Sequence, residues 1–198
     1  MPAAPSAIPP TTLQVHNTYI LTAADDGLLI IDQHALHERV LYNEMKRRLA
    51  GGSLTAQRML IPETVTVTPA ESAALLSQGG LLRRLGMEVV PFGPDSVAVQ
   101  QFPSLLVQRH VGAAGFLREL LDRLTEDETT DPERLLEDLL AMMACKAAVK
   151  AGDPLSPAEI DDLLTAREAA EKSSACPHGR PTTLKLTLKD LERQFKRT

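Results

Sequence analysis

Leu28-Leu29-Ile30-Ile31-Asp32-Gln33-His34-Ala35-Leu36-His37-Glu38 changes its hydrophobic period part-way along, and that change decides the fold of this end of the chain. The four apolar residues read as a short buried strand; beyond Asp32, the residues Ala35, Leu36, Arg39, Val40, Glu44, Met45 and Leu49 suit a helix that stops at Gly51-Gly52. Upstream, Leu13 to Leu21 roughly alternates and Asp25-Asp26-Gly27 supplies a tight turn, so the strand is the second arm of a β-hairpin that delivers Asp32. The local geometry is strand, acidic residue, helix. His34 and Glu38, four apart, share one helix face; His37 does not, and is expected to be a solvated helix residue.

A second stretch, Cys176-Pro177-His178-Gly179-Arg180-Pro181, offers a thiolate and an imidazole two residues apart in a loop stiffened by Pro177, Gly179 and Pro181. With His34 and Glu38 it reads as one metal site. Mixed sulfur, imidazole and carboxylate ligation suits zinc rather than magnesium or calcium, which prefer oxygen. Asp32, just outside that set, is an oxygen ligand for a second, harder ion. Taken alone, Asp32 reads equally well as a helix N-cap, and a lone Cys-X-His is a weak signal. The rigid frame, together with His-X3-Glu after a buried strand, favours the metal. Cys145, mid-helix among Met142, Met143, Ala144 and Ala147, reads as a buried structural thiol.

The 198 residues can bury a core in one large domain or two small ones. Aromatic residues are 3% and Trp is absent, so the core is built from Leu, Val, Ile, Met and Ala. A net charge of -5 does not suit a protein that holds nucleic acid by charge alone. Two cysteines make no disulfide framework, and there is no signal peptide or apolar run of membrane length, so a cytoplasmic protein is expected.

Residues 1–10, rich in Pro and Ala, read as a linker remnant. The middle of the chain carries helical patterns at about 69–86, 113–125, 132–151 and 156–172, with strands expected at 63–68, 87–92 and 96–101. The acidic run at 125–131 reads as a solvated loop before a helix with Pro132 in its first turn. A strand from Thr182 to Leu186 and a helix from Leu188 to Lys196, capped by Thr187, close the chain. The fold class expected is α/β in the α+β sense and two-lobed: residues 11–50 and 173–198 form one lobe with the metal site, and 51–172 form an inserted lobe.

Asp32-Gln33-His34-Ala35 followed by Glu38 resembles the signature of the C-terminal domain of the MutL DNA mismatch repair family, in its endonuclease-bearing branch. Ala144-Cys145-Lys146, Cys176-Pro177-His178-Gly179-Arg180-Pro181 and Phe195-Lys196-Arg197 resemble its further motifs, in the family's order. The resemblance implies a homodimer whose lobe from both chain ends dimerises and whose middle lobe is external and regulatory. It implies zinc on His34, Glu38, Cys176 and His178, and a catalytic manganese or magnesium on Asp32 and Glu38. Gln33, Cys145, Arg180 and Arg197 would support that site. It also implies an N-terminal ATPase domain joined through a linker, nicking of the strand to be repaired after MutS detects a mismatch, weak binding of double-stranded DNA by this domain alone, and a place at the nucleoid while acting.

Gln57-Arg58-Met59-Leu60-Ile61-Pro62 resembles the peptide by which such endonucleases engage the replication sliding clamp, through Gln57, Leu60 and Pro62. Its plainer reading is a loop leading into a strand at Glu63. One departure stands out: the family's second glutamate, five positions after the first, is here Asn43, with Glu44 beside it. A step of one residue turns a helical side chain by about 100°, so Glu44 is no automatic substitute. Two rival readings are a zinc-stabilised dimerisation module with weak or lost nicking, and an unrelated zinc hydrolase. The second lacks His-Glu-X-X-His or a Cys-X-X-Cys pair.

Overall fold

The computed structural model describes residues 12–126, 131–170 and 174–197. The linker expected at 1–10 and most of the acidic run at 125–131 lie outside these residues. The chain divides into two units: the residues up to Val40 with those from Ala148, and Leu41–Ala147.

The first unit is built on an antiparallel sheet of order β1-β2-β3-β7, with β1 Leu13–Val15, β2 Tyr19–Ala24, β3 Gly27–Asp32 and β7 Thr183–Thr187. The hairpin closes at Asp25-Asp26, with Ala24 opposite Gly27. Gly27 has no substitute here, because a Cβ would stand 2.1 Å from the Leu186 carbonyl oxygen of β7. Register sorts the sheet into two faces. On one, Ile20 and Ile31 pack with Leu36 of helix α1 (Gln33–Ala50) and with Ile160 and Leu163 of α7 (Pro157–Ala169). On the other, Leu13, Leu21, Ile30 and Leu184 form one row and Ala23, Leu28 and Leu186 the next.

Two reciprocal caps fix helix starts in this unit. Ser156 and Glu159 cap α7, with Pro157 at its first position, and Thr187, the cap expected from the sequence, closes with Asp190 on α8 (Leu188–Gln194). Helix α7 belongs here rather than with the middle segment to which the sequence reading gave it, because Ile160 and Leu163 complete the core under the sheet.

The second unit begins within α1 and ends at Ala147, where the sequence reading set 51 and 172. Its sheet has the order β4-β6-β5, with β4 Ala56–Thr66, β5 Glu88–Pro91 and β6 Ser96–Pro103. Around it lie α2 (Pro69–Ser77), α3 (Gly79–Arg84), α4 (Ser104–Gln108), α5 (Ala113–Glu126) and α6 (Pro132–Ala147). Phe102 and Phe116 meet edge to face, 5.6 Å between centroids, inside a mainly aliphatic core. The single helix expected over 69–86 is two, broken at Gln78 where Gly79-Gly80 follows. Strand β4 starts seven residues before the expected 63, and its pairing with β6 shifts register between Arg58 and Glu63.

Candidate metal centre

Asp32 ends β3 and its Oδ1 accepts the Ala35 N–H at 3.0 Å, so it caps α1 as an Asp at that position does. One turn further, Glu38 points to a loop whose shape follows from its residue types. The Gly179 N–H donates to the Cys176 carbonyl at 2.9 Å, which makes 176–179 a β-turn with Pro177 at its second position. Gly179 then takes φ +81°, the left-handed conformation open to glycine, and the Cys176 N–H donates to the Arg180 carbonyl at 2.8 Å. The Asp32 N–H on the Thr182 carbonyl, 2.9 Å, and Arg39 Nε on the Ala175 carbonyl, 2.6 Å, tie the loop to α1.

This frame brings Glu38, Cys176 and His178 together, with one ligand atom of each within 4.8 Å of the others. Glu38 is 0% exposed and Cys176 1%, while the His178 side chain is 38% exposed. His178 Nδ1 lies 2.5 Å from Glu38 Oε1, yet neither carboxylate oxygen receives an aligned hydrogen bond. A buried carboxylate with both oxygens unserved is costly, and an aligned partner is the usual remedy. A cation is the other, and a thiolate, an imidazole and a carboxylate converging on one point are a donor set for a borderline-soft divalent ion. The residues present fit zinc.

Two further candidates stand outside the trio. Asp32 is half-buried and engaged as a cap. His34 has its Nδ1 2.8 Å from the Val149 carbonyl oxygen, which leaves Nε2 as its remaining nitrogen. His37 corrects the sequence reading: its Nδ1 accepts the Val149 N–H at 3.2 Å, so it is half-buried and engaged rather than solvated. Cys145 lies in α6 of the other unit and is half-buried rather than buried. Glu44, beside the departing Asn43, forms an ion pair with Arg48 along its own helix. Arg180 and Arg197 are exposed. Gln33, carried by the sequence only as a supporting residue, turns out to be wholly buried and saturated with hydrogen bonds. Its only sequence signal was a long amide directly after a helix cap.

The sliding-clamp-like segment lies on β4 where the register shifts, with Leu60 98% and Ile61 79% exposed. It is therefore strand and irregularity, not the loop of the plainer reading.

The sequence model of the family described as "MutL C terminal dimerisation domain" matches residues 12–155. Proteins described as DNA mismatch repair protein MutL from Rhodopseudomonas palustris (strain TIE-1), Bradyrhizobium sp. (strain ORS 278) and Phenylobacterium zucineum (strain HLK1) are 42%, 43% and 41% identical over 185 residues. Each alignment covers 93% of this chain, which spans 31%, 30% and 29% of those relatives. The matched family region includes the hairpin, Asp32 and the whole of α1, and the alignments to relatives leave only 7% of the chain uncovered. Sheet, helix and similarity agree, and the chain belongs to the MutL C terminal dimerisation domain family.

Proposed function

We propose that this chain is the part of a mismatch repair protein that pairs two copies and nicks the DNA strand to be repaired. The observation that carries the reading is the buried, unserved carboxylate of Glu38 beside Cys176 and His178. Glu38, Cys176, His178 and His34 would hold zinc; Asp32, with Glu38, would hold manganese or magnesium. When bound, such ions lower the pKa of water and take up the negative charge of a phosphate. The chain's own part is positioning. Helix α1 fixes Glu38, the turn at 176–179 fixes Cys176 and His178, and the exposed guanidinium of Arg180 on the same loop offers a fork for a phosphate oxygen.

Homodimerisation has a surface to use: the open sheet face exposes Leu13 at 57%, Tyr19 at 44%, Leu184 at 60% and Leu186 at 36%. A second copy laid on that face would bury it. Exposed Leu60 and Ile61 favour docking on the sliding clamp through Gln57, Leu60 and Pro62, which would supply effective DNA concentration to an acidic chain. An ATPase domain and MutS belong to the same reading, as does a cytoplasmic site of action at the nucleoid. Among the described residues no helix is long and apolar enough to cross a membrane.

A second reading, a zinc-stabilised dimerisation module without nicking, draws on Asp32 serving as a cap and on Asn43. Nicking of supercoiled plasmid with manganese, at low salt and with the sliding clamp present, separates the two. Activity lost in Asp32→Asn establishes the endonuclease; zinc bound and dimer intact without nicking establishes the module. Gln57→Ala with Leu60→Ala should remove the stimulation by the clamp and leave the dimer intact, and unchanged stimulation refutes the docking.

A further inference from the structure

Gln33, the first residue of α1, is 0% exposed, and each end of its amide is engaged. Its Nε2 donates to the carbonyls of Asn17 at 2.7 Å, Lys150 at 3.0 Å and Asp153 at 3.1 Å, and its Oε1 accepts Gln14 Nε2 at 2.7 Å. Two of those three carbonyls belong to the turn at 150–153, which the Lys150 N–H closes on Asp153 Oδ2 at 2.7 Å. Gln14 adds a second grip, donating to the Asp153 carbonyl at 3.0 Å and accepting the Leu155 N–H at 3.2 Å.

Val149, the residue next to that turn, has its backbone N–H and carbonyl each against an imidazole. The Val149 carbonyl meets His34 Nδ1 at 2.8 Å, and the Val149 N–H meets His37 Nδ1 at 3.2 Å. A carbonyl can only accept, so neutral His34 carries its proton on Nδ1 and its lone pair on Nε2. An N–H can only donate, so His37 keeps its lone pair on Nδ1. One residue, through the two peptide groups that flank its Cα, thus sets two rings three residues apart in opposite tautomers. Ring orientation by a backbone carbonyl on the far nitrogen is the usual support of a metal-binding histidine.

We propose that Gln33 is a positioning residue for the metal site: its amide fixes the turn at 150–153, which holds the Val149 carbonyl against His34 and keeps the His34 Nε2 lone pair available to a borderline-soft divalent cation. This rests on the reading above that places His34 among the ligands. A purely structural role for Gln33 would move stability and leave the state of the His34 ring alone.

The test uses the whole chain and two readouts: the His34 tautomer from two-bond proton–nitrogen correlation spectra of the metal-free protein, and zinc affinity by competition with a chromophoric chelator. Wild type should show the Nδ1–H form. Gln33→Met, similar in length and without polar atoms, should mix in the Nε2–H form and weaken zinc by about 10–100-fold, the range for lost outer-shell partners. His34→Ala should weaken it as much or more. A folded Gln33→Met with the wild-type ring and wild-type affinity overturns the proposal. Zinc lost in His34→Ala but kept in Gln33→Met sinks this inference alone; zinc unaffected by His34→Ala sinks the ligand reading and the inference with it. Should Gln33→Met not fold, Asp153→Ala, which opens the turn from its exposed side, is judged on the same two readouts.

Discussion

Glu38 and the pair Leu60-Ile61 break the same rule in opposite directions. Glu38 is a charged side chain with 0% exposure and no aligned hydrogen bond; Leu60 and Ile61 are apolar side chains with 98% and 79% exposure. Neither arrangement adds to stability, because a buried polar group needs a partner and apolar area gains from cover. Each suits a partner of a different class: a cation for a carboxylate beside a thiol and an imidazole, an apolar pocket for two aliphatic side chains. The two differ in what they cost the chain. Burying a carboxylate without an aligned hydrogen bond costs stability, while the exposed aliphatic pair costs almost nothing.

The largest expected effect tests the first half of that contrast. Zinc at a hundred times its Kd should stabilise the chain by about 2.7 kcal/mol, against a chelator control. Glu38→Gln should abolish that increment, and in chelator it should unfold no earlier than wild type, since about 1–3 kcal/mol of desolvation cost is relieved. Thermal unfolding with zinc and with chelator reads both. A wild type indifferent to zinc would leave His178 as what answers the Glu38 carboxylate and would remove the metal reading.

Next in size is the open sheet face. Leu184→Asp with Leu186→Asp places charge on the two cross-strand rows that Ile30 and Leu28 continue. Even one central contact of hot-spot strength corresponds to about 30-fold weaker association. Sedimentation of the variant should show monomers at concentrations where wild type is dimeric; unchanged sedimentation would move the interface off this face.

What was legible in the sequence was local. The hairpin, the start of α1 and the Cys-Pro-His-Gly turn follow from residue types within a few positions of one another, because Asp caps, Pro at a turn's second position and Gly in the left-handed region act on their own backbone. What was not legible was decided across the chain. Gln33 bonds to carbonyls 16, 117 and 120 positions away, and α7 owes its unit to packing on Ile20 and Ile31. The first half of β4 pairs with β6 through Ala56, Gln57 and Arg58, a run with no alternation to announce it, and α4 is a five-residue helix too short to show a period. Of the metal trio, the sequence supplied all three residues; that Glu38 would be wholly buried and unserved came only from the fold.

The other half of the contrast predicts a smaller effect. Leu60→Ser with Ile61→Ser should leave the unfolding free energy from urea titration within about 0.5 kcal/mol of wild type, whereas truncating a fully buried leucine of the same unit, Leu75→Ala, should cost about 2–5 kcal/mol. A large loss from the first pair would mean that the segment is held by its own fold and is no waiting contact.

The smallest effect comes from a glutamate that lacks nothing. Glu71 accepts the Thr68 backbone N–H at 2.6 Å, completes the cap of α2 and pairs with Arg118 at 2.7 Å. These contacts, the Thr68 backbone bond first and the Thr68 hydroxyl next, hold its carboxyl below the ordinary carboxylate value. With the folded pKa below the unfolded one, the contribution is complete above the unfolded value, about 4.3, and is lost as pH falls through the folded value. Glu71→Ala should therefore lower the urea midpoint slightly at pH 7, and the gap to wild type should narrow as the pH is taken down towards and below about 4. A gap constant across that range would mean that the ionised cap adds nothing over the neutral one. A carboxylate with aligned hydrogen bonds would then be a poor yardstick for the one at Glu38, which has none, and whose cost would have to be measured against Glu38→Gln in chelator alone.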